Sequence, residues 1–124
     1  HILLYTSPAI GGVLQYNHSI LCALAAAGDR LTYVQDIPDA LVDLFGQEGM
    51  ERTRQRADWF VSQQRQLGID QHLWLEAASN QQAEQIVADA RPDLLILSNG
   101  GPVANFFPKR AAVRLGIPFI IVEH

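Results

Sequence analysis

The sequence predicts an α/β fold, a Rossmann-like doubly wound parallel sheet in the order 3-2-1-4-5, on three observations. The first is the opening, HILLYTSPAIGGVLQYNHSILCALAAAG, which reads strand, paired glycines, helix. The second is a rhythm. In LAAAGDRLTYV, RQLGIDQHLWL and VRLGIPFIIV a helix ends at a glycine (Gly28, Gly68, Gly116) and a β-branched or aromatic run follows within a few residues. Glycine suits a helix end because it accepts the left-handed conformation there. The third is VADARPDLLILS, a fourth return in which Pro92 provides the stop. Short returns of this kind belong to βαβ units and hence to a parallel sheet.

Each element follows from its own residues. Strands are expected at about 2–6, 31–35, 72–75, 94–98 and 118–122, where the apolar runs lie. The first helix repeats apolar residues at helical spacing through Val13, Tyr16, Ile20, Leu21, Leu24 and Ala27. Between strands two and three, DIPDALVDLFGQEG is a long connection with its own helical stretch at Ala40 to Phe45. The segment from Glu48 to Leu67 is amphipathic, with Met50, Ala57, Phe60, Val61 and Gln64 roughly on one side. Ser79 and Gln82 form a capping-box pattern ahead of an apolar face of Ala83, Ile86, Val87 and Ala90.

Composition bounds the function. The 124 residues fit one domain, residues 1–124, with 48% apolar and 18% charged residues, the balance of a folded core. A formal net charge of −4 argues against a general nucleic-acid surface. Arg52, Arg54, Arg56 and Arg65 could meet an acidic partner or a membrane surface, but interspersed acidic residues favour a solvated face. No apolar run approaches the roughly 20 residues of a spanning helix. Cys22 is the single cysteine, so it has no intrachain disulfide partner and reads as core filler. A cytoplasmic location, at most peripheral to an inner membrane, is expected.

In a doubly wound sheet, ligands bind outside the carboxyl ends of the strands where the winding reverses, between strands one and four. Pro8-Ala9-Ile10-Gly11-Gly12 follows strand one and Ser98-Asn99-Gly100-Gly101-Pro102 follows strand four. Two glycine loops therefore line one crevice, and Glu123 and His124 end strand five at the same rim. Backbone N–H groups at Gly11 and Gly12, opening a helix, suit an anion such as a phosphate. The dinucleotide fingerprint G-x-G-x-x-G is absent, and Asp36 after strand two is weak without it. Neither a phosphate loop of the G-x-x-x-x-G-K-[ST] type nor a G-x-S-x-G elbow occurs. His1, His18, His72 and His124 lack metal-ligand spacing, so no metal is expected.

These residues resemble a family. GGVLQYNHSILCALAAAGDRLTYV is similar to the opening of the family-4 glycosyltransferases, and RPDLLILSNGGPVANFFPKRAAVRLGIPFIIVEH is similar to the later part of the same domain. The middle, about Asp36 to Ala78, is unmatched. The resemblance implies the N-terminal, acceptor-side half of a GT-B architecture, with a C-terminal donor-binding domain outside this chain. It implies a retaining glycosyltransferase of the hexosyltransferase type, inactive as this piece alone, working in polysaccharide biosynthesis. The expected partners are a nucleotide-sugar donor as substrate, a glycan or lipid-linked acceptor, and no other cofactor. Carried over by position, Gly11 and Gly12 would approach the donor diphosphate and His124 would lie near the transferred sugar as the catalytic residue. Asn99, Gly100 and Gly101 would form an acceptor-side loop.

Two other readings compete. One is a stand-alone flavodoxin-like ligand-binding or regulatory module; the other is half of a GT-B epimerase. The response-regulator version of the first needs an acidic cluster after strand one, where this chain has Tyr5-Thr6-Ser7-Pro8.

Overall fold

A computed structural model describes residues 1–7, 12–38, 40–77, 80–99 and 104–124. The elements alternate: β1 (Ile2–Ser7), α1 (Gly12–Ala26), β2 (Leu31–Pro38), α2 (Ala40–Gln66), β3 (Asp70–Ala77), α3 (Asn80–Ala90), β4 (Leu94–Asn99), α4 (Phe106–Leu115) and β5 (Phe119–Glu123). The strands form one sheet in the order β3-β2-β1-β4-β5, with every neighbouring pair parallel. The chain is thus an α/β protein with a Rossmann-like parallel sheet.

The returns behave as glycine chemistry requires. Gly28, Gly68 and Gly116 have φ of 87°, 72° and 68°. At Gly116 the left-handed turn lets Ile117 N–H reach Ala112 O at 2.9 Å, closing α4 and aiming the chain into β5. The proline return differs: Arg91 takes the left-handed conformation itself, φ 41°, ahead of Pro92.

Alternation along the strands sends side chains to two cores. Leu3, Tyr5, Val34, Leu95 and Leu97 meet Ala83 and Val87 of α3 and Ala111 and Ala112 of α4. Leu4, Leu31, Tyr33 and Ile96 meet Leu14 and Leu21 of α1 and Ile69 beyond α2. Helices therefore cover both faces. On α3 the face drawn from the sequence is the one buried: Ala83 and Val87 are in the core, with Ile86 and Ala90 packed beside them.

Several expectations need correction. The buried residues of α1 are Leu14, Asn17 and Leu21, so the inward stripe is rotated from Val13, Tyr16 and Ile20 and contains a polar side chain. β2 and β3 run longer than expected, at eight residues each, with a register shift between Val34 and Asp36. The two helical stretches expected after β2 need no correction: α2 is two helices that meet at Gly46, whose φ of 66° and ψ of 173° are not helical. Cys22 is half-buried beside His18, 3.6 Å from its Nε2, rather than filling the core. Ser79, the expected cap of α3, lies outside the described residues, as do Pro8 to Gly11 and Gly100 to Pro102.

Candidate functional site

The central strands are apolar until their carboxyl ends and then turn polar without becoming exposed. Thr6, Ser98 and Asn99 have no exposed surface, Gln35 has 2% and Asn105 has 6%. Register places Thr6 beside both Gln35 and Ser98, so these three make one polar row across β2, β1 and β4 on the face toward α1. Asn99, one residue on, belongs to the opposite face, toward α4. The row sits where β1 and β4 adjoin and the winding reverses, the place a ligand occupies in open α/β sheets.

Hydrogen bonds fix this cluster in one arrangement. Asn99 Nδ2 donates to Glu123 Oε1 at 2.6 Å. A carboxylate only accepts, so Asn99 must turn its amide nitrogen toward Glu123 and its oxygen away. That oxygen accepts from Asn105 Nδ2 at 2.8 Å, and the same nitrogen donates to Ser98 O at 3.0 Å. Thr6 Oγ1 donates to the same carbonyl at 3.2 Å. Both amide protons of Asn105 are therefore spent, and its Oδ1 is buried without a partner. Asn105 holds φ 57° and ψ 29° just before α4 and makes no side-chain cap there. Asparagine tolerates that conformation better than most residues, and its side chain serves the strand end instead of the helix.

On the α1 side, His124 Nε2 lies 2.9 Å from Ser98 Oγ, and its ring meets Tyr16 edge-to-face with centroids 4.7 Å apart. A second knot lies further along the same face. Gln35 Nε2 donates to Tyr33 Oη at 2.6 Å and Asn17 Nδ2 to the same oxygen at 3.4 Å. Burial pushes the Tyr33 phenol well above its ordinary pKa, only partly offset by those two donors. The N-termini of α1 and α4 both start at this end of the sheet, and neither has an acidic residue in its first turn.

The residues singled out in the sequence fare unequally. Asn99 and His124 are brought together through Ser98, one on each face. Gly12 is the first residue of α1; its φ is not positive, and among the described residues a Cβ there would meet nothing within 4 Å. The backbone does not demand glycine at 12. Gly11, Gly100 and Gly101 lie outside the described residues. Thr6, Gln35, Asn17 and Asn105 were not anticipated. For Asn17 a signal existed: it interrupts an apolar stripe with Leu14 and Leu21 at spacings of three and four.

With the fold and the polar strand ends in view, the class is a small parallel α/β protein with helices on both faces of its sheet. No family model and no curated protein matches the chain. The structure is similar to the crystal structure of a protein from the universal stress protein family from Burkholderia pseudomallei. The TM-score is 0.52 at 18% identity, covering 98% of this chain and 94% of that one. At that identity the likeness is one of fold.

This overturns the glycosyltransferase resemblance, and with it the assignment as an acceptor-binding GT-B half, the hexosyltransferase activity and the polysaccharide-biosynthesis role. The neighbour that spans nearly the whole chain is a stress-family α/β protein. The motifs misled for a physical reason. The glycine exits and L-G-I-P report how a helix stops and a strand begins, which any chain of parallel βα units must do. Among the described residues no helix is long and apolar enough to cross a membrane.

Proposed function

We propose that the chain is a small ligand-binding or regulatory module that takes a phosphorylated small molecule at the carboxyl ends of β1, β4 and β5. The observation that carries this is the Glu123–Asn99–Asn105 relay, which leaves one buried acceptor, Asn105 Oδ1, unspent at the switch point. A buried unsatisfied acceptor costs about 1–3 kcal/mol, a cost that a ligand's donor group removes. The helix N-termini of α1 and α4 suit the phosphate. Gly12 then lies at its approach, and His124 with Tyr16 forms the rim. The side chains offer hydrogen bonds rather than an activated nucleophile, which favours binding over chemistry.

Amide NMR titration with inorganic phosphate, ribose 5-phosphate and adenosine monophosphate tests the reading. Shifts are expected at residues 12–14, 98–99 and 105–107, with dissociation constants of about 1 mM or tighter for at least one probe. Asn105→Gly keeps the left-handed backbone, removes the amide and should weaken that binding about tenfold. Shifts confined to other parts of the sheet, or none with any probe, would overturn it.

A further inference from the structure

Cys22, His18 and Gln64 meet between α1 and α2 and take no part in the polar cluster at the strand ends. His18 and Cys22 stand four residues apart on α1 and so share a face. Cys22 Sγ lies 3.6 Å from His18 Nε2. The other ring nitrogen, Nδ1, is 2.5 Å from the Gln64 amide. Gln64 has no exposed surface, and its Oε1 is buried without a partner among the described residues. Cys22 itself is half-buried, set between the buried Leu21 and the exposed Ser19 and Ala23, so part of it meets solvent.

The unmet oxygen decides what the ring can do. An amide can present either end, and a neutral imidazole carries its proton on one nitrogen alone. With Gln64 Nε2 toward the ring, Nδ1 accepts, Nε2 holds the proton, and Gln64 Oε1 stays unmet. With the amide turned, Oε1 accepts from Nδ1–H, and Nε2 offers its lone pair to the Cys22 thiol. The turned arrangement gives the buried oxygen its donor and makes the imidazole a base beside a sulfur. Amide, imidazole and thiol then stand in the order in which one group orients a base and the base activates a nucleophile. Partial exposure supplies the remaining condition, since a thiol closed off in a core is inert.

We propose that Cys22 is a modification site, a reactive thiol with His18 as its base and Gln64 as the positioning residue, which exchanges with a small-molecule disulfide such as oxidised glutathione. The step balances within these groups. The thiol proton passes to His18 Nε2, the sulfur attacks one sulfur of the disulfide, and the S–S bond of the reagent breaks. Cys22 keeps one half as a mixed disulfide; the other half leaves as a thiolate and takes the proton back from His18. An excess of free thiol reverses the exchange by the same route. Cys22 is the single cysteine, so no second thiol of the chain displaces the adduct, which stays at the α1–α2 contact until an outside thiol removes it.

The test is the rate of mixed-disulfide formation with oxidised glutathione at neutral pH, followed by the mass of the intact chain. The folded chain should react at least about tenfold faster than the same chain unfolded in urea, where His18 no longer faces the sulfur; a positioned base contributes about 10²–10⁴-fold. His18→Gln keeps a polar side chain, removes the base and should bring the folded rate down to the unfolded one or below. Gln64→Leu should slow the exchange and move the His18 proton to Nε2, read from the ring-nitrogen NMR shifts. Gln64→Glu keeps an acceptor and should restore both. The comparison of folded with unfolded chain needs no variant, so it decides even if a substitution prevents folding. A folded thiol that reacts no faster than the unfolded one would overturn the proposal and leave Cys22 a packing residue. An undiminished rate in a folded His18→Gln chain would overturn it as well.

Discussion

The amino and carboxyl halves of the central strands are equally buried and chemically opposite. Leu3, Leu4 and Tyr5 of β1 and Leu95, Ile96 and Leu97 of β4 are at most 8% exposed, and so are Thr6, Ser98 and Asn99 directly after them. The apolar half gains free energy by leaving water. The polar half must replace every lost hydration bond and does not quite do so, since Asn105 Oδ1 and one or both oxygens of the Asn17–Gln35 pair go unmet. One half specifies the fold. The other carries acceptors that the described residues leave unmet.

The largest effect should come from the apolar half. Leu97→Ala empties a fully buried position between the sheet and the α3–α4 layer. It should lower unfolding free energy by about 2–5 kcal/mol in urea denaturation. At temperatures where the variant stays folded, probe binding should hold, because Leu97 touches the core and not the strand ends. Loss of binding in a folded Leu97→Ala chain would blur the division between the halves.

Tyr33→Phe tests the polar half, and pH sharpens it. At neutral pH it should cost about 1–3 kcal/mol, since the amides of Asn17 and Gln35 lose their shared acceptor. The native phenol has its pKa raised above the ordinary 10.0. In alkali the unfolded chain gives up that proton before the folded one does. The contribution is complete below the ordinary value and is lost as pH rises beyond it. Urea midpoints from neutrality to about one unit above that value should fall for the parent and fall less steeply for Tyr33→Phe. Parallel slopes would mean that the phenol reaches water.

What was legible in the sequence divides along the same line. Apolar runs and glycine stops are local signals, so Gly28, Gly68, Gly116 and the five strands could be read directly. Asn99 and His124 could be placed because a strand's end is a position along the chain. Asn105 could not, because its role depends on Glu123 turning Asn99 around, a relay among three elements. Asn17 showed in the sequence as a polar break between Leu14 and Leu21, but its role did not, because that depends on Tyr33, which β2 presents to it. The family resemblance failed for a related reason: it was assembled from helix stops and strand starts, which carry fold and little about ligand.

The smallest effect should come from Ser98→Ala, and its smallness is the point. Ser98 serves the site twice. Its carbonyl accepts from Thr6 Oγ1 and Asn105 Nδ2, while its hydroxyl meets, among the described residues, only His124 Nε2. Substitution by alanine leaves the carbonyl in place, so the buried relay from Glu123 to Asn105 should survive. The removed hydroxyl faces a histidine at the exposed rim, which water can serve in its place, so the stability cost should be at most about 1 kcal/mol. The change should appear locally instead. His124 would lose the bond that holds it against Tyr16, and its ring-proton NMR signals should move toward those of an unstacked imidazole. The amide signals of Asn99 and Asn105 should stay where they are. Collapse of those signals in Ser98→Ala would show that the hydroxyl, and not the backbone, organises the polar ends of the strands.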